Sequence, residues 1–348
     1  MRAATVVPGQ PDQARVDDVA DPAESDGALL VDGLLVGVCG TDYEIAHEGY
    51  GWVPEGHDRL VLFHESMGRV VQAPAGSGFT AGDSVVGIVR RPCPQRCRPC
   101  AHREWDFCAT GDYTERGIKQ RDGYGSQRWR VEPDFAVKLD PALGTLGVLT
   151  EPTSVVAKAW DQVDRIGQRA YTEPSTVLVT GAGPIGLLAA LIGVQRGMQV
   201  HVLDRMADGR KPDLVRQLGA TYHSGSVGDL ALRPDIVIEC TGFGALVVDV
   251  LQHTGRNAIT CLTGISGGSA TVQLGADALN KELVLDNDVV FGSVNANRHH
   301  YELAATALAA ADRDWLAQLV TRTVPLEQWT EALAKKPDDV KVVVDLQA

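Results

Sequence analysis

Four cysteines fall within sixteen residues as Cys93-x3-Cys97-x2-Cys100-x7-Cys108. Four thiolates at these spacings close a tetrahedron about one zinc ion and leave no position for water, so the site they predict is structural. The same stretch holds Arg91, Arg96, Arg98, His102, Arg103, Glu104 and Asp106, too polar a company for four unrelated core cysteines, and His102 reads as a solvated surface histidine. A second, dispersed set is Cys39-Gly40-Thr41-Asp42, His64-Glu65 and Glu151-Pro152. Three ligands of mixed Cys, His and carboxylate type with one open position are what a catalytic zinc needs, because a substrate oxygen must reach the metal. Spacing alone leaves this set open, since a buried Cys39 and a salt-bridged His64 account for it equally well. A third stretch, Gly181-Ala182-Gly183-Pro184-Ile185-Gly186, follows the β-branched run 177–179 and opens an apolar run of helix length. Its G-x-G-x-x-G spacing suits a dinucleotide pyrophosphate laid on a helix N-terminus. Asp204, 18 residues past Gly186, stands where a carboxylate accepts hydrogen bonds from an adenosine ribose. That favours NAD over NADP, while Arg205 and Arg210 are placed to reach a 2′-phosphate and oppose it.

The elements that position these residues change character along the chain. Residues 2–7, 28–39, 67–72 and 84–89 are short apolar or alternating runs between Gly, Pro and Asp turns, which predicts a β-rich region up to about residue 90. Residues 91–130 show little periodicity and predict a long loop held by something other than a core. Residues 131–139 resume a strand pattern, and 148–166 read as a helix with Glu151-Pro152 at its start. From Val177 the rhythm becomes βα alternation. Strands at 177–180, 200–203, 236–240, 258–262 and 289–292, with helices at about 184–196, 212–218 and 245–253, predict a parallel, doubly wound sheet. Residues 301–311 and 314–320 read as helices and 341–346 as a closing strand. His299-His300 reads as the start of a surface helix, and Lys335-Lys336 with Asp338-Asp339 as a solvated turn.

At 348 residues two domains are the default, and 44% hydrophobic with 22% charged residues is an ordinary globular composition. A formal net charge of -13 argues against a phosphate-neutralising nucleic-acid surface. No run of about 18 apolar residues occurs and the N-terminus lacks a signal-peptide pattern, so a cytoplasmic protein without a membrane partner is expected. Seven cysteines, four of them between 93 and 108, suit metal thiolates in a reducing compartment.

Val38-Cys39-Gly40-Thr41-Asp42, Phe63-His64-Glu65-Ser66-Met67-Gly68, the four-cysteine lobe and the 181–186 turn occur together and in this order in zinc-containing medium-chain dehydrogenases, which the chain resembles over nearly its whole length. Residues 54–62, 89–92 and 107–118, with Gly292-Ser293-Val294-Asn295, are similar to the glucose 1-dehydrogenase branch of that family. The resemblance implies an α/β protein: a GroES-like β-rich catalytic domain over 1–165 with its structural zinc lobe at 91–112, a Rossmann nucleotide-binding domain over 166–297, and a segment 298–348 that returns to the catalytic domain. It implies two zinc ions per chain, the catalytic one on Cys39, His64 and either Glu65 or Glu151, which exchange as substrate enters. Thr41 matches the hydroxyl that relays the substrate proton, and Glu115 and Asn295 match positions that hold sugar hydroxyls, with Glu151 also facing the substrate. Glu115 is expected to stay unpaired until a vicinal diol supplies its donors. Coenzyme positions are matched by Gly181, Gly183, Pro184, Ile185, Gly186, Asp204, Arg205 and Thr241, then Thr263, Gly264, Ile265, Ser293, Val294 and Asn295.

The implied activity is hydride transfer between a sugar-like or polyol alcohol, or hemiacetal, and NAD(P), in a homo-oligomer, dimer or tetramer. Two departures favour an alternative substrate, a sugar-like or cyclitol intermediate of specialised metabolism. Phe63 stands where the branch usually has Gly, either beside the metal or packed into the core; Leu285-Asp286-Asn287-Asp288 stands where the branch tends to carry His or Lys. A third reading, a non-catalytic binding protein that kept the fold, is opposed by ligating residues at every catalytic-zinc position.

Overall fold

The computed structural model describes residues 1–268 and 270–348. Two compact units emerge, one of Met1–Ser154 with Asn295–Ala348 and one of Val155–Val294.

The first unit is built on a seven-stranded sheet in the order Ala136–Lys138, Ser84–Gly87, Glu65–Gln72, Leu29–Gly37, Lys341–Asp345, Val320–Pro325, with Arg128–Val131 also pairing on Leu29–Gly37. Val31, Val36, Val70, Val85, Trp129, Val342 and Val344 join in its apolar core. The closing strand enters mid-sheet, with Val343 opposite Gly37, so the chain's end lies beside the strand that leads to Cys39. Residues 91–130 are more than a loop: Arg90–Arg91, Thr114–Arg116 and Gln120–Arg121 form a small sheet whose strands are too short to show a period. A turn at Pro133–Phe135 likewise splits the expected 131–139 strand in two. Two surface expectations are corrected. His300 is buried within the helix Arg298–Ala309, and Asp339 is buried, accepting hydrogen bonds from Arg322 (2.7 Å) and the Lys336 N–H (2.9 Å).

Phe63 does not lie in extended backbone. Its φ is +71°, in the left-handed region that costs an L-residue energy. The ring is fully buried in the core and meets Trp329 edge-on at 5.6 Å between centroids, so Phe63 is a core residue rather than a pocket wall. This makes an unusual order of stability. Phe63→Ala and Phe63→Gly both lose the ring, at about 3–5 kcal/mol. Only the alanine retains the left-handed strain, so the glycine variant is expected to be the more stable of the two by about 1 kcal/mol in urea unfolding. The ordinary ranking, alanine above glycine, would show that the strain is absent.

The second unit holds a six-stranded parallel sheet in the order Thr221–His223, Gln199–Leu203, Thr176–Thr180, Ile236–Glu239, Ile259–Leu262, Val289–Gly292. Five strands were expected; the sixth, Thr221–His223, is three residues long and shows no period. Strand order reverses between Thr176–Thr180 and Ile236–Glu239, the switch point where doubly wound sheets bind ligands. The helix Pro184–Gln195 starts against this point, and a Cβ at Gly186 would lie 1.7 Å from Gly181 O. Asp288 accepts from the Ala258 N–H at 2.9 Å and from Thr254 Oγ1 at 3.2 Å, an internal tie between neighbouring strand ends.

Candidate active site

Cys39 is the N-cap of the helix Gly40–Glu48, and Asp42 completes that first turn by accepting the Cys39 N–H at 2.8 Å. His64 and Glu65 arrive at the head of the Glu65–Gln72 strand, where Glu65 opposes Gly37. A Cβ at Gly37 would lie 1.9 Å from Glu65 Oε2, so glycine there is what admits the carboxylate. Ligand atoms of Cys39, His64 and Glu65 lie within 4.8 Å of one another. Thr41 Oγ1 is 3.8 Å from Cys39 Sγ. Glu151 stands in the first turn of the helix Thr150–Gly167, 8% exposed; burial pushes its carboxyl up to about 7, against the pull of His64 and Lys341 and with the help of Glu65 and Asp42.

His64 Nδ1 is 3.5 Å from Asp42 Oδ1, and among the described residues these two buried atoms have no hydrogen-bond partner. Burial disfavours the imidazolium, but Asp42 and then Cys39 hold His64 well above its ordinary value. A half-buried thiol with a buried imidazole and buried carboxylates forms a donor set that a divalent cation completes, with Asp42 placed to orient the imidazole. Glu65 is further engaged by Lys341, whose Nζ donates to Oε1 at 2.7 Å, to Oε2 at 2.6 Å and to Val38 O at 3.1 Å. Burial works against the Lys341 charge, and Glu65, then Cys39, holds it protonated above its ordinary range. Lys341 was not among the expected site residues, and Asp42 stood in the Cys39–Asp42 stretch without a role of its own. Asp42 carried a local signal, an acid three residues after an N-cap; Lys341 carried none, being 276 residues from its partner.

In the cysteine lobe the four Sγ atoms also lie within 4.8 Å of one another, and Cys97 and Cys108 are 3.9 Å apart without a disulfide. The Cys97 N–H donates to Cys93 Sγ at 3.3 Å and the Ala109 N–H to Cys97 Sγ at 3.5 Å. Burial pushes Cys100 up to about 12. Against that same push, hydrogen bonds from Thr110 and the Gly111 backbone draw Cys108 down to about 6. Sulfurs this close share their ionisation unevenly until a cation sits among them, which fits zinc.

In the second unit Gly181 has φ +89°, while a Cβ at Gly183 would meet nothing within 4 Å. Packing therefore does not demand glycine at 183, and the bare backbone there leaves room for a phosphate. Asp204 is fixed beside this turn, its Oδ2 accepting the Ala182 N–H at 2.6 Å and its Oδ1 the Met206 N–H at 3.3 Å. Arg205 and Arg210 are exposed. Apolar side chains are left open on the loops expected to take the nicotinamide half, with Ile265 77% and Val294 51% exposed.

The family described as Glucose dehydrogenase C-terminus matches residues 144–346, and the Alcohol dehydrogenase GroES-like domain matches residues 25–141. The chain is 36% identical over 359 residues to a glucose 1-dehydrogenase of Methanocella arvoryzae and 37% identical over 353 residues to one of Thermoproteus tenax, covering 100% of both chains in each case. The chain belongs to the glucose dehydrogenase branch of the medium-chain dehydrogenases. Haloferax mediterranei glucose dehydrogenase, solved in complex with NADP, Zn and gluconolactone, superimposes with a TM-score of 0.91 at 31% identity over 99% of each chain. Galactitol-1-phosphate dehydrogenase from Escherichia coli shares the fold, with a TM-score of 0.83 at 22% identity over 99% of this chain and 100% of its own.

In this dehydrogenase the carboxylate of Glu115 is not unpaired, which corrects the expectation from its sequence. Its Oε1 accepts from Arg90 Nε and Nη2, each at 3.0 Å, and from Asn295 Nδ2 at 2.9 Å. Arg90 in turn lies 3.7 Å over the Tyr113 ring, and Asn295 takes a left-handed φ of +60°. All three donors converge on one oxygen, and Oε2 takes part in none of these bonds.

Proposed function

We propose that this chain oxidises the hemiacetal carbon of a glucose-like aldopyranose to the lactone, passing hydride to NAD. The observation that carries the sugar reading is the Glu115 carboxylate: Arg90 and Asn295 hold Oε1, and Oε2 is left for a substrate hydroxyl. A simple alcohol brings no second hydroxyl, so it leaves that acceptor unmet. When bound at Cys39, His64 and Glu65 or Glu151, zinc supplies Lewis-acid polarisation of the substrate oxygen. Asp42 orients the imidazole, Thr41 relays the proton of the reacting hydroxyl by accepting it while passing its own outward to solvent, and Glu115 with Asn295 fixes the ring. The cyclitol alternative keeps only one of its supports: Phe63 is in the core, while 285–288 carries no basic residue. The preference for NAD rests on Asp204, pinned by two N–H groups where a 2′-phosphate would bring like charges together. A cytoplasmic homo-oligomer, dimer or tetramer, is part of the proposal. Seven free thiols support the first, no helix of the described residues is long and apolar enough to cross a membrane, and the edge strand Val289–Gly292 with exposed Val284, Leu285 and Val290 supports the second.

Steady-state kinetics on aldoses, cyclitols, ethanol and benzyl alcohol with each coenzyme test this reading, in the parent and in Asp204→Ala. Aldoses should be the best substrates, and kcat/KM should favour NAD by roughly ten- to a hundredfold, a ratio that collapses in the variant. Ethanol or benzyl alcohol outperforming every sugar would overturn the sugar assignment. Equal or better kcat/KM with NADP in the parent would show that Arg205 and Arg210 outweigh Asp204.

A further inference from the structure

Glu239 ends the Ile236–Glu239 strand, across the switch point from the glycine turn. It is 0% exposed, and among the described residues no ion pair joins it to Lys, Arg or His. Neutral donors surround it instead. Its Oε1 accepts from Thr180 Oγ1 at 3.1 Å, from the Thr241 N–H at 2.8 Å and from the Thr241 hydroxyl, and its Oε2 accepts the Gly242 N–H at 3.1 Å. Its main-chain carbonyl accepts from the Thr263 N–H at 2.8 Å, from Thr263 Oγ1 at 2.7 Å and from the Gly264 N–H at 3.1 Å. One residue thus ties together the ends of three adjacent strands. The loops it joins touch so closely that a Cβ at Gly264 would lie 2.0 Å from Gly242 N, and Ser266 Oγ donates to Gly242 O at 2.6 Å.

Folding alone does not call for this arrangement. An apolar residue would end the strand without burying a carboxylate that lacks a counter-ion, and such burial costs stability unless every donor is in place. The topology supplies the other half of the argument. A dinucleotide straddles the switch point; with its adenosine ribose at Asp204, its second half lies over the ends of Ile236–Glu239 and Ile259–Leu262, which is where the Glu239 carboxylate holds the 241–242 loop and the 263–266 loop packs on Gly242. We propose that Glu239 is a positioning residue that holds these loops in shape for the nicotinamide half of the coenzyme. This rests on the coenzyme reading above.

Glu239→Gln keeps the side-chain shape but presents an N–H group where the carboxylate accepts. In the purified full-length variant, the Kd for NADH and NADPH, read by calorimetry, should rise about tenfold or more, while that for ADP-ribose, which lacks nicotinamide, should stay within about twofold. Equal weakening of both ligands would make Glu239 a general folding residue and overturn the proposal, as would no change in either. A parent that binds none of these ligands would fail the coenzyme reading itself, an outcome distinct from loss of selectivity in the variant. Should the glutamine variant not fold, Thr180→Val removes one donor from Oε1 at nearly constant volume, and the same selectivity at about threefold is expected. A folded Thr180→Val with unaltered selectivity would overturn the proposal as well.

Discussion

His64→Ala is expected to lose one zinc ion per chain and at least about a thousandfold in kcat while the protein remains folded. The size follows from what the side chain holds. His64 is 5% exposed between Cys39, Glu65 and Asp42, and once it binds a metal its imidazole is the neutral ligand beside a thiolate and a carboxylate. Without it, two ligands plus a mobile carboxylate do not fix a divalent cation, and the several kcal/mol of charge stabilisation at the substrate oxygen go with the metal. Folding is spared because Asp42 keeps its bond to the Cys39 N–H and the strand keeps its pairing with Leu29–Gly37. Zinc content after dialysis, turnover and circular dichroism separate these effects. Undiminished zinc and turnover in a folded variant would remove His64 from the site.

What was legible in the sequence was whatever is local. The cysteine lobe, the 181–186 turn and Asp204 each announce themselves within a few residues, and the structure gathers the four sulfurs and sets Asp204 beside the turn. The alternating strands and the apolar helix Pro184–Gln195 were readable for the same reason, since period and length suffice to show them. Strands of two or three residues, such as Arg90–Arg91 and Thr221–His223, present no period and were missed. The partnerships of Glu115 and Glu65 were hidden for a different reason. Asn295 lies 180 residues from Glu115, and Lys341 lies 276 from Glu65, so only the fold brings the donors in. Phe63 shows a third kind of limit: a bulky residue at a left-handed φ contradicts its own propensity, and tertiary packing against Trp329 overrides it.

Lys341→Met should destabilise the protein by about 3–5 kcal/mol, the cost of leaving a buried charge without its partner. Lys341 and Glu65 are 3% and 2% exposed, and the ammonium meets both carboxylate oxygens, so neither charge has water to turn to. The bond also joins the chain's closing strand to the strand headed by Glu65, which makes the loss cooperative with unfolding of the sheet. Removing both charges tests whether the pair or the unpaired remnant matters: Lys341→Met with Glu65→Gln should recover most of the loss, since two neutral groups of similar volume need no counter-ion. The pH dependence has a definite sign. The Lys341 ammonium titrates above its ordinary value in the folded protein, so the pair's contribution is intact below the unfolded-state value of about 10.4 and fades only as pH rises through the folded one. Urea unfolding at neutral pH, on the two single variants and the double, reads the coupling directly. A single-variant loss under about 1 kcal/mol would mean that Glu65 finds another partner, and a zinc ion at the proposed site is the one to look for, by repeating the measurement on metal-free protein.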